Sequence, residues 1–338
     1  MMRNYRRRRR RPMTPPLILL TVALLLGAAW LVSDILHKEP APQTEQSVSS
    51  GKDAASSGSE APVVESEPEI EPEPVLTTAD GVTCTLKQLG AEAIHTGQLI
   101  LVNNHHYYQF REDQPLVSIY EEKSSSYVVA RTDIYLDKVA VSALNTMMDD
   151  FREQGGSKTV NVVAGHRTAE FQQHLFDQSA ERNGLEHAQK YVAQPGGSEH
   201  HTGLVVDFSI LNYDGTSQDF LGTGEYAWIT ENCADYGFVV RYAEGKQVYT
   251  GIANEPWHFR YLGPVHAAKI TEKNMCLEEY IDYLKRFTFE GERMIIECDA
   301  GTYEVWYAKG SEVYLPDSGA YTVSGNNVDG VIVTYKVD

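Results

Sequence analysis

The stretch SEHHTGLVVDFSI, Ser198 to Ile210, decides how the chain is read. Two adjacent histidines lead into a run built for burial, and that run carries one carboxylate, Asp207, between Val206 and Phe208. An unpartnered buried carboxylate is costly, so an arginine, a hydrogen-bond network or a metal must lie against it. LVVDFSI reads as a strand, bounded on its N-terminal side by the turn signal QPGGS, Gln194 to Ser198. On a regular strand His201 and Asp207 share a face and His200 does not. Gly203 and the preceding PGGS point instead to an irregular approach, so periodicity leaves the choice of histidine open.

Working outward, TVNVVAG, Thr159 to Gly165, is a second short β-branched strand, and Arg167 follows it at once. Thr168 is a candidate N-cap for a helix with Phe171 and Leu175 on one face. Val141, Leu144, Met148 and Phe151 recur at helical steps and predict a helix over Lys138–Glu153. LILVNN, Leu99 to Asn104, reads as a strand. Tyr226 to Tyr236 reads as helical with Gly237 as its cap, and Pro264 to Phe287 as one long amphipathic helix. From Thr288 the texture changes to short β runs, MIIEC, TYEVWYA, EVYLP and GVIVTYKV, separated by turns. The predicted fold class is α+β: a small antiparallel sheet with flanking helices carrying a metal site, plus a short C-terminal β-rich extension. That extension reads as structural rather than as a wall-binding module, because nothing in it carries chemistry.

The ends of the chain look different. Residues 1–11 hold seven arginines and read as a cytoplasmic basic segment. Residues 12–36 contain LILLTVALLLGAAWLV, about as long as the roughly 20 apolar residues of a membrane span. Arginines before it and acids after it predict a single-pass cell-membrane protein, N-terminus in the cytoplasm and the rest extracellular. A cleaved signal peptide, with Gly27-Ala28-Ala29 as its site, is the alternative, and it too exports the chain. Residues 37–77, acidic and rich in Pro and Ser, predict a disordered spacer. Residues 78–287 then form the main globular domain and 288–338 the extension. The net charge of −18 argues against nucleic acid as a partner. Cys84, Cys233, Cys276 and Cys298 show no C-x-x-C spacing, which argues against a cysteine zinc site or thioredoxin-like chemistry. Outside the cell they are permitted to pair, in any of three ways, or to stay as free buried thiols.

The partner for Asp207 lies further on, in EPWHFRY, Glu255 to Tyr261, where a carboxylate and a histidine stand three apart. Catalytic zinc takes three protein ligands from His, Asp and Glu and keeps a fourth position for water. A nearby free carboxylate serves that water as base. Asp207, one of His200 and His201, and His258 supply three ligands, and Glu255 supplies the base. A metal is then what makes the buried aspartate tolerable.

These segments resemble a known family. SEHHTGLVVD is similar to the S-x-H-x-x-G-x-A-x-D motif of the VanY-type D-alanyl-D-alanine carboxypeptidases, zinc peptidases of bacterial wall metabolism. EPWHFRY resembles their E-x-W-H segment and AGHRTAEFQ, Ala164 to Gln172, their S-G-Y-R-S-x-x-x-Q. The similarity runs in order from about Leu99 to Phe287. It implies zinc held by His200, Asp207 and His258, Glu255 as the catalytic base and Arg167 as the cation near the scissile carbonyl. Ser198 and Gln172 fall on positions that shape the substrate site. His166 stands where the family has a tyrosine and Val205 where it has an alanine. Trp257 fixes the His258 segment, with substrate contact as its second role, and His201 is a flanking non-ligand.

The resemblance implies zinc-dependent removal of the terminal D-alanine from peptidoglycan stem pentapeptides. An LD-carboxypeptidase acting on tetrapeptide stems and a peptidoglycan endopeptidase share the motifs. A silent wall-binding receptor is the reading from a different class, and it fits less well because all ligands and the base are present.

Overall fold

The structure is a computed structural model and describes residues 76–337. The basic segment, the predicted span over 12–36 and nearly all of the predicted spacer lie outside the described residues. Among the described residues no helix is long and apolar enough to cross a membrane.

A six-stranded sheet runs in the order Val128–Val129, Val160–Ala164, Val205–Leu211, Glu255–Tyr261, Phe238–Tyr242, with Ser217–Asp219 also paired to Val205–Leu211. The first pair is parallel and the others antiparallel, as the predicted fold class requires. Side chains alternate across a strand, so Val206, Phe208 and Ile210 point to one face. There they share a core with Val141, Leu144, Met148 and Phe151 of the helix Lys138–Glu153, which begins and ends as the sequence predicts. Each of these side chains contributes about 1.5–3 kcal/mol by leaving water. Their burial commits Val205, Asp207 and Ser209 to the opposite face. On that face Asp207 stands directly across from His258 on one side and from Ala164 on the other.

Several elements differ from their sequence reading. The stretch predicted as one helix over Pro264–Phe287 is two helices, Pro264–Glu272 and Leu277–Leu284. Asn274 takes a left-handed conformation (φ 50), and Cys276 with Glu279 forms a reciprocal capping box that starts the second helix anew. The apolar pattern runs through the break because Ile270, Leu277, Tyr280 and Ile281 all enter one core. Tyr226–Tyr236 is α-helical only over Ala227–Asn232, flanked by tight turns, with Gly237 capping at φ 85. In the helix capped by Thr168 the buried side chains are Gln172 and Phe176, while Phe171 is exposed. The four cysteines are free thiols.

Leu99–Asn104 is not a strand. Leu99 to Val102 are buried, but their backbone groups bond to a hairpin of the C-terminal extension rather than to a ladder. Leu99 N donates to Ser324 Oγ at 2.9 Å and Leu101 N to Asn326 O at 3.0 Å. The extension itself is a four-stranded antiparallel sheet in the order Met294–Cys298, Gly301–Lys309, Gly330–Val337, Tyr321–Gly325. Its fifth strand, Glu312–Pro316, pairs with Cys84–Gln88 from the other end of the described chain.

Asn327 ties these parts together. It is buried in the left-handed region (φ 57), and its Nδ2 donates to Leu101 O at 2.8 Å and Tyr107 O at 3.2 Å. Its Oδ1 lies 2.7 Å from His95 Nδ1. Asn327→Ala strands the buried carbonyl of Leu101, loses the bond to Tyr107 O and puts a Cβ residue without a local hydrogen bond at positive φ. It is expected to cost about 1–3 kcal/mol. Urea denaturation should show a lower midpoint with an unchanged m-value.

Candidate functional site

The turn before the aspartate strand settles which histidine faces Asp207. Glu199–Thr202 forms one 3-10 turn, closed by Gly203 at φ 71. A side chain at 203 would meet Leu116 at 2.6 Å and resist that φ, so glycine is required. The turn breaks the strand parity. His200 Nε2 lies 3.2 Å from Asp207 Oδ2, whereas His201 turns away. His201 Nδ1 bonds Arg167 O at 2.7 Å, its Nε2 accepts from Gly196 N at 3.1 Å, and its ring stacks on Tyr108. Both nitrogens of His201 are thus occupied away from Asp207.

Across the sheet, His258 Nδ1 lies 3.0 Å from Asp207 Oδ1. One ligand atom each from His200, Asp207 and His258 fall within 4.8 Å of one another. Metal–ligand bonds near 2.0–2.2 Å in a tetrahedron place neighbouring ligand atoms roughly 3.4 Å apart, close to the spacings here. Two further features fit a metal. His200 Nδ1 donates to Gly165 O at 2.6 Å, which leaves its Nε2 lone pair directed at the cluster. Asp207 Oδ1 is buried and accepts no hydrogen bond, a deficit that a cation removes. Two imidazoles and a carboxylate with room for a fourth ligand are the donor set of a catalytic zinc site.

Charge sets the two histidines apart. Burial, with Arg167 adding to it, pushes His200 down to about 4. Burial acts the same way on His258, but the facing Asp207 carboxylate, with Glu199 behind it, outweighs burial and holds His258 up at about 9. Burial would also raise Asp207, yet the two histidines keep it well below the ordinary carboxylate range.

Glu255 and Arg167 complete the centre, each delivered by an irregularity of the sheet. On a regular strand residues three apart face opposite ways. The ladder between Phe238–Tyr242 and Glu255–Tyr261 is interrupted between Val240 and Tyr242, and Glu255 reaches the His258 side, Oε2 to Nδ1 3.7 Å. Burial raises the Glu255 pKa, Asp207 adds to this, and His258 and Arg167 oppose it. A bulge between Val162 and Ala164 redirects the other neighbouring strand into Arg167, whose Nη2 lies 3.3 Å from Asp207 Oδ2.

These groups open into a cavity of about 490 Å³ that Ser198, Gln172 and Trp257 also line. Gln172 Nε2 donates to Ala193 O at 2.8 Å, and its Oε1 is buried without a partner. His166 is not among the lining side chains; its backbone N–H bonds Tyr135 O and its ring is half-buried. His105 also lines the cavity, beside Asn103 and Asn104. So do Tyr242, Val248 and Tyr249, which no motif marks.

Several known proteins are similar to this chain. The model of the VanY family, D-alanyl-D-alanine carboxypeptidase, matches residues 133–264. A D-alanyl-D-alanine carboxypeptidase of Enterococcus faecium is 33% identical over 254 residues, 73% of this chain and 78% of that protein. The bifunctional D-Ala-D-Ala dipeptidase and D-Ala-D-Ala carboxypeptidase VanXYC of Enterococcus gallinarum is 36% identical over 155 residues, 45% of this chain and 80% of its own length. Among solved structures, the vancomycin resistance D,D-dipeptidase VanXYg, in complex with a D-Ala-D-Ala phosphinate analogue, matches with a TM-score of 0.66 at 29% identity. That match covers 75% of this chain and 99% of the other.

The opposed histidine shifts predict a proton count. At pH 7.5 (about midway between 6.5 and 9) the metal-free chain holds His258 protonated and His200 neutral. A divalent metal entering at His258 Nδ1 must displace that one proton. Calorimetric titration with zinc in buffers of different ionisation heat should therefore show at least this one proton released, with any proton lost by metal-bound water adding to it; no release would contradict the shift. The sign for stability follows the same shift. His258 is raised above its unfolded value of about 6.5, so its ion pair stabilises the metal-free fold fully below that pH. This contribution is lost as pH rises through about 9, and a midpoint series in urea should show it.

Proposed function

Since the chain belongs to the VanY family of D-alanyl-D-alanine carboxypeptidases, we propose that it hydrolyses the last peptide bond of peptidoglycan stem pentapeptides with zinc as cofactor. The observation that carries this is Glu255. Its carboxylate stands 3.7 Å from the nitrogen of His258 that faces Asp207, beside a three-ligand cluster and inside the cavity. His200, Asp207 and His258 would hold the zinc. When bound, the ion polarises the scissile carbonyl and brings the pKa of water at the site towards about 7.

The chain's own residues do the rest. Glu255 takes a proton from the attacking water and delivers it to the leaving amine of D-alanine. Its raised pKa suits both transfers, since a stronger base accepts the proton more readily and the resulting acid remains able to give it up. Arg167 meets the developing oxyanion or the terminal carboxylate of the stem, in a place where its charge is little screened. Ser198, Gln172 and Trp257 shape the pocket around the two alanines, and the idle Oε1 of Gln172 accepts an N–H of the substrate. His166 stands at the edge of this set, next to Arg167 in the chain and outside the cavity lining. For localisation, the proposal is a cell-membrane protein whose basic N-terminus lies in the cytoplasm. Residues 12–36 anchor it, and the catalytic part meets the wall outside.

The test uses the purified, zinc-loaded full chain in detergent, with Glu255→Gln as its blank and mass spectrometry as readout. A mixture of pentapeptide and tetrapeptide stems should lose D-alanine from the pentapeptide alone. The blank should be slower by about 10²–10⁴-fold. Trimming of the tetrapeptide would assign the LD class instead. No difference from the blank would leave a binding protein without catalysis.

A further inference from the structure

One buried carboxylate near the site has no part in the chemistry above. The side chain of Glu199 is fully enclosed, and its Oε1 accepts from Arg241 Nε at 2.9 Å and from Arg260 Nη1 at 2.7 Å. Its Oε2 makes no hydrogen bond. The same is true of the buried Nε2 of His258, and these two idle atoms face each other at 3.7 Å. A buried donor or acceptor left unpaired is destabilising, and here each is the obvious partner of the other. Closing the gap by roughly 1 Å makes a charge-assisted hydrogen bond of ordinary length.

We infer that Glu199 is the positioning residue of His258: it accepts the Nε2–H, which fixes the tautomer and turns the Nδ1 lone pair to the metal. The inference rests on the proposed metal centre and adds a residue to it. The two histidine ligands then use opposite nitrogens. His200 gives its Nδ1–H to Gly165 O and offers Nε2, while His258 gives Nε2–H to Glu199 and offers Nδ1. A carboxylate or carbonyl behind each ligating imidazole orients the ring and raises its basicity.

The surroundings keep Glu199 in place. Arg241 is itself clamped by both oxygens of Glu278, at 2.9 and 2.7 Å. Arg260 is held by the carbonyls of Gln98 and Ile100, each at 2.9 Å. Both guanidiniums converge on Oε1, so Oε2 is left to His258. Two cations and two carboxylates make the group neutral as a whole, and its members cannot rotate independently.

The experiment compares the full chain with Glu199→Gln and Glu199→Asp. Gln keeps the shape but brings an amide in place of the acceptor. Asp keeps the charge but withdraws it by one carbon–carbon bond. Zinc affinity, measured by competition with a chromophoric chelator, should fall about 10–100-fold in each variant that folds. Folding is followed separately by metal-free melting. Unchanged affinity in folded variants would reduce Glu199 to a counter-ion of the arginines and overturn the inference. Wild-type protein loaded with ¹¹³Cd and ¹⁵N-histidine gives a readout independent of the variants. Cadmium should couple to Nδ1 of His258 and Nε2 of His200, with a downfield, slowly exchanging Nε2–H on His258. Coupling through His258 Nε2 would overturn the assignment. Failure of the wild type to bind either metal would remove the metal centre itself, an outcome distinct from loss of Glu199's role alone.

Discussion

The pairing of Asp207 with His258 across two antiparallel strands is the constraint on which the rest depends. A charged carboxylate on a central strand is strongly unfavourable unless its partners are positioned before it is buried. The ladder register does this, since Asp207 and His258 are opposite neighbours and Val205 lies opposite Arg260. A slip of one residue would carry Asp207 into the face packed against the helix Lys138–Glu153 and turn Val206 and Phe208 towards the cavity. The apolar core therefore holds the electrostatic centre in register. Val206, Phe208 and Ile210 are what keep Asp207 where it is.

Around that regular pair, the other functional groups arrive by departures from regularity. The 3-10 turn ending at Gly203 brings His200 to Asp207 although strand parity would have brought His201. The bulge at Val162 and Ala164 leads into Arg167, and the interrupted ladder near Val240 accompanies the approach of Glu255 to His258. A sheet presents side chains only at alternate positions on a flat grid. Five groups meeting around one point need that grid broken, and it is broken once on each of three approaches to the strand pair.

This division also explains what was legible in the residues alone. The helix Lys138–Glu153 and the strand Val205–Leu211 were legible because each buries a periodic apolar face, and periodicity is what sequence displays. The ligands and base were legible because their types and motif spacing match a chemistry. Glu199 was not, although it lies inside the very stretch that poses the problem. Its partners Arg241 and Arg260 are distant in sequence, and no local pattern announces a buried ion cluster. The long helix over Pro264–Phe287 was misread for the converse reason. Its apolar pattern continues across Asn274, where the backbone does not. The cavity wall at Asn103–His105 depends on bonds to residues more than two hundred positions away, which periodicity cannot express.

Those distant bonds give the C-terminal extension a place in the site. Ser324, Asn326 and Asn327, on one hairpin, hold Leu99 and Leu101, and Asn327 reaches on to Tyr107. Between those anchors run Asn103, Asn104 and His105, which line the cavity. Asn103 in turn reaches Glu278, the residue that clamps Arg241 and through it Glu199. A path of hydrogen bonds thus joins the hairpin and the cavity wall to the carboxylate behind His258. Leu101, Asn327, Arg241 and Glu199 on this path are buried, so a bond unmade among them has no water to replace it. The hairpin and Arg260 together hold the backbone of Leu99 to Leu101, from which that wall of the cavity continues.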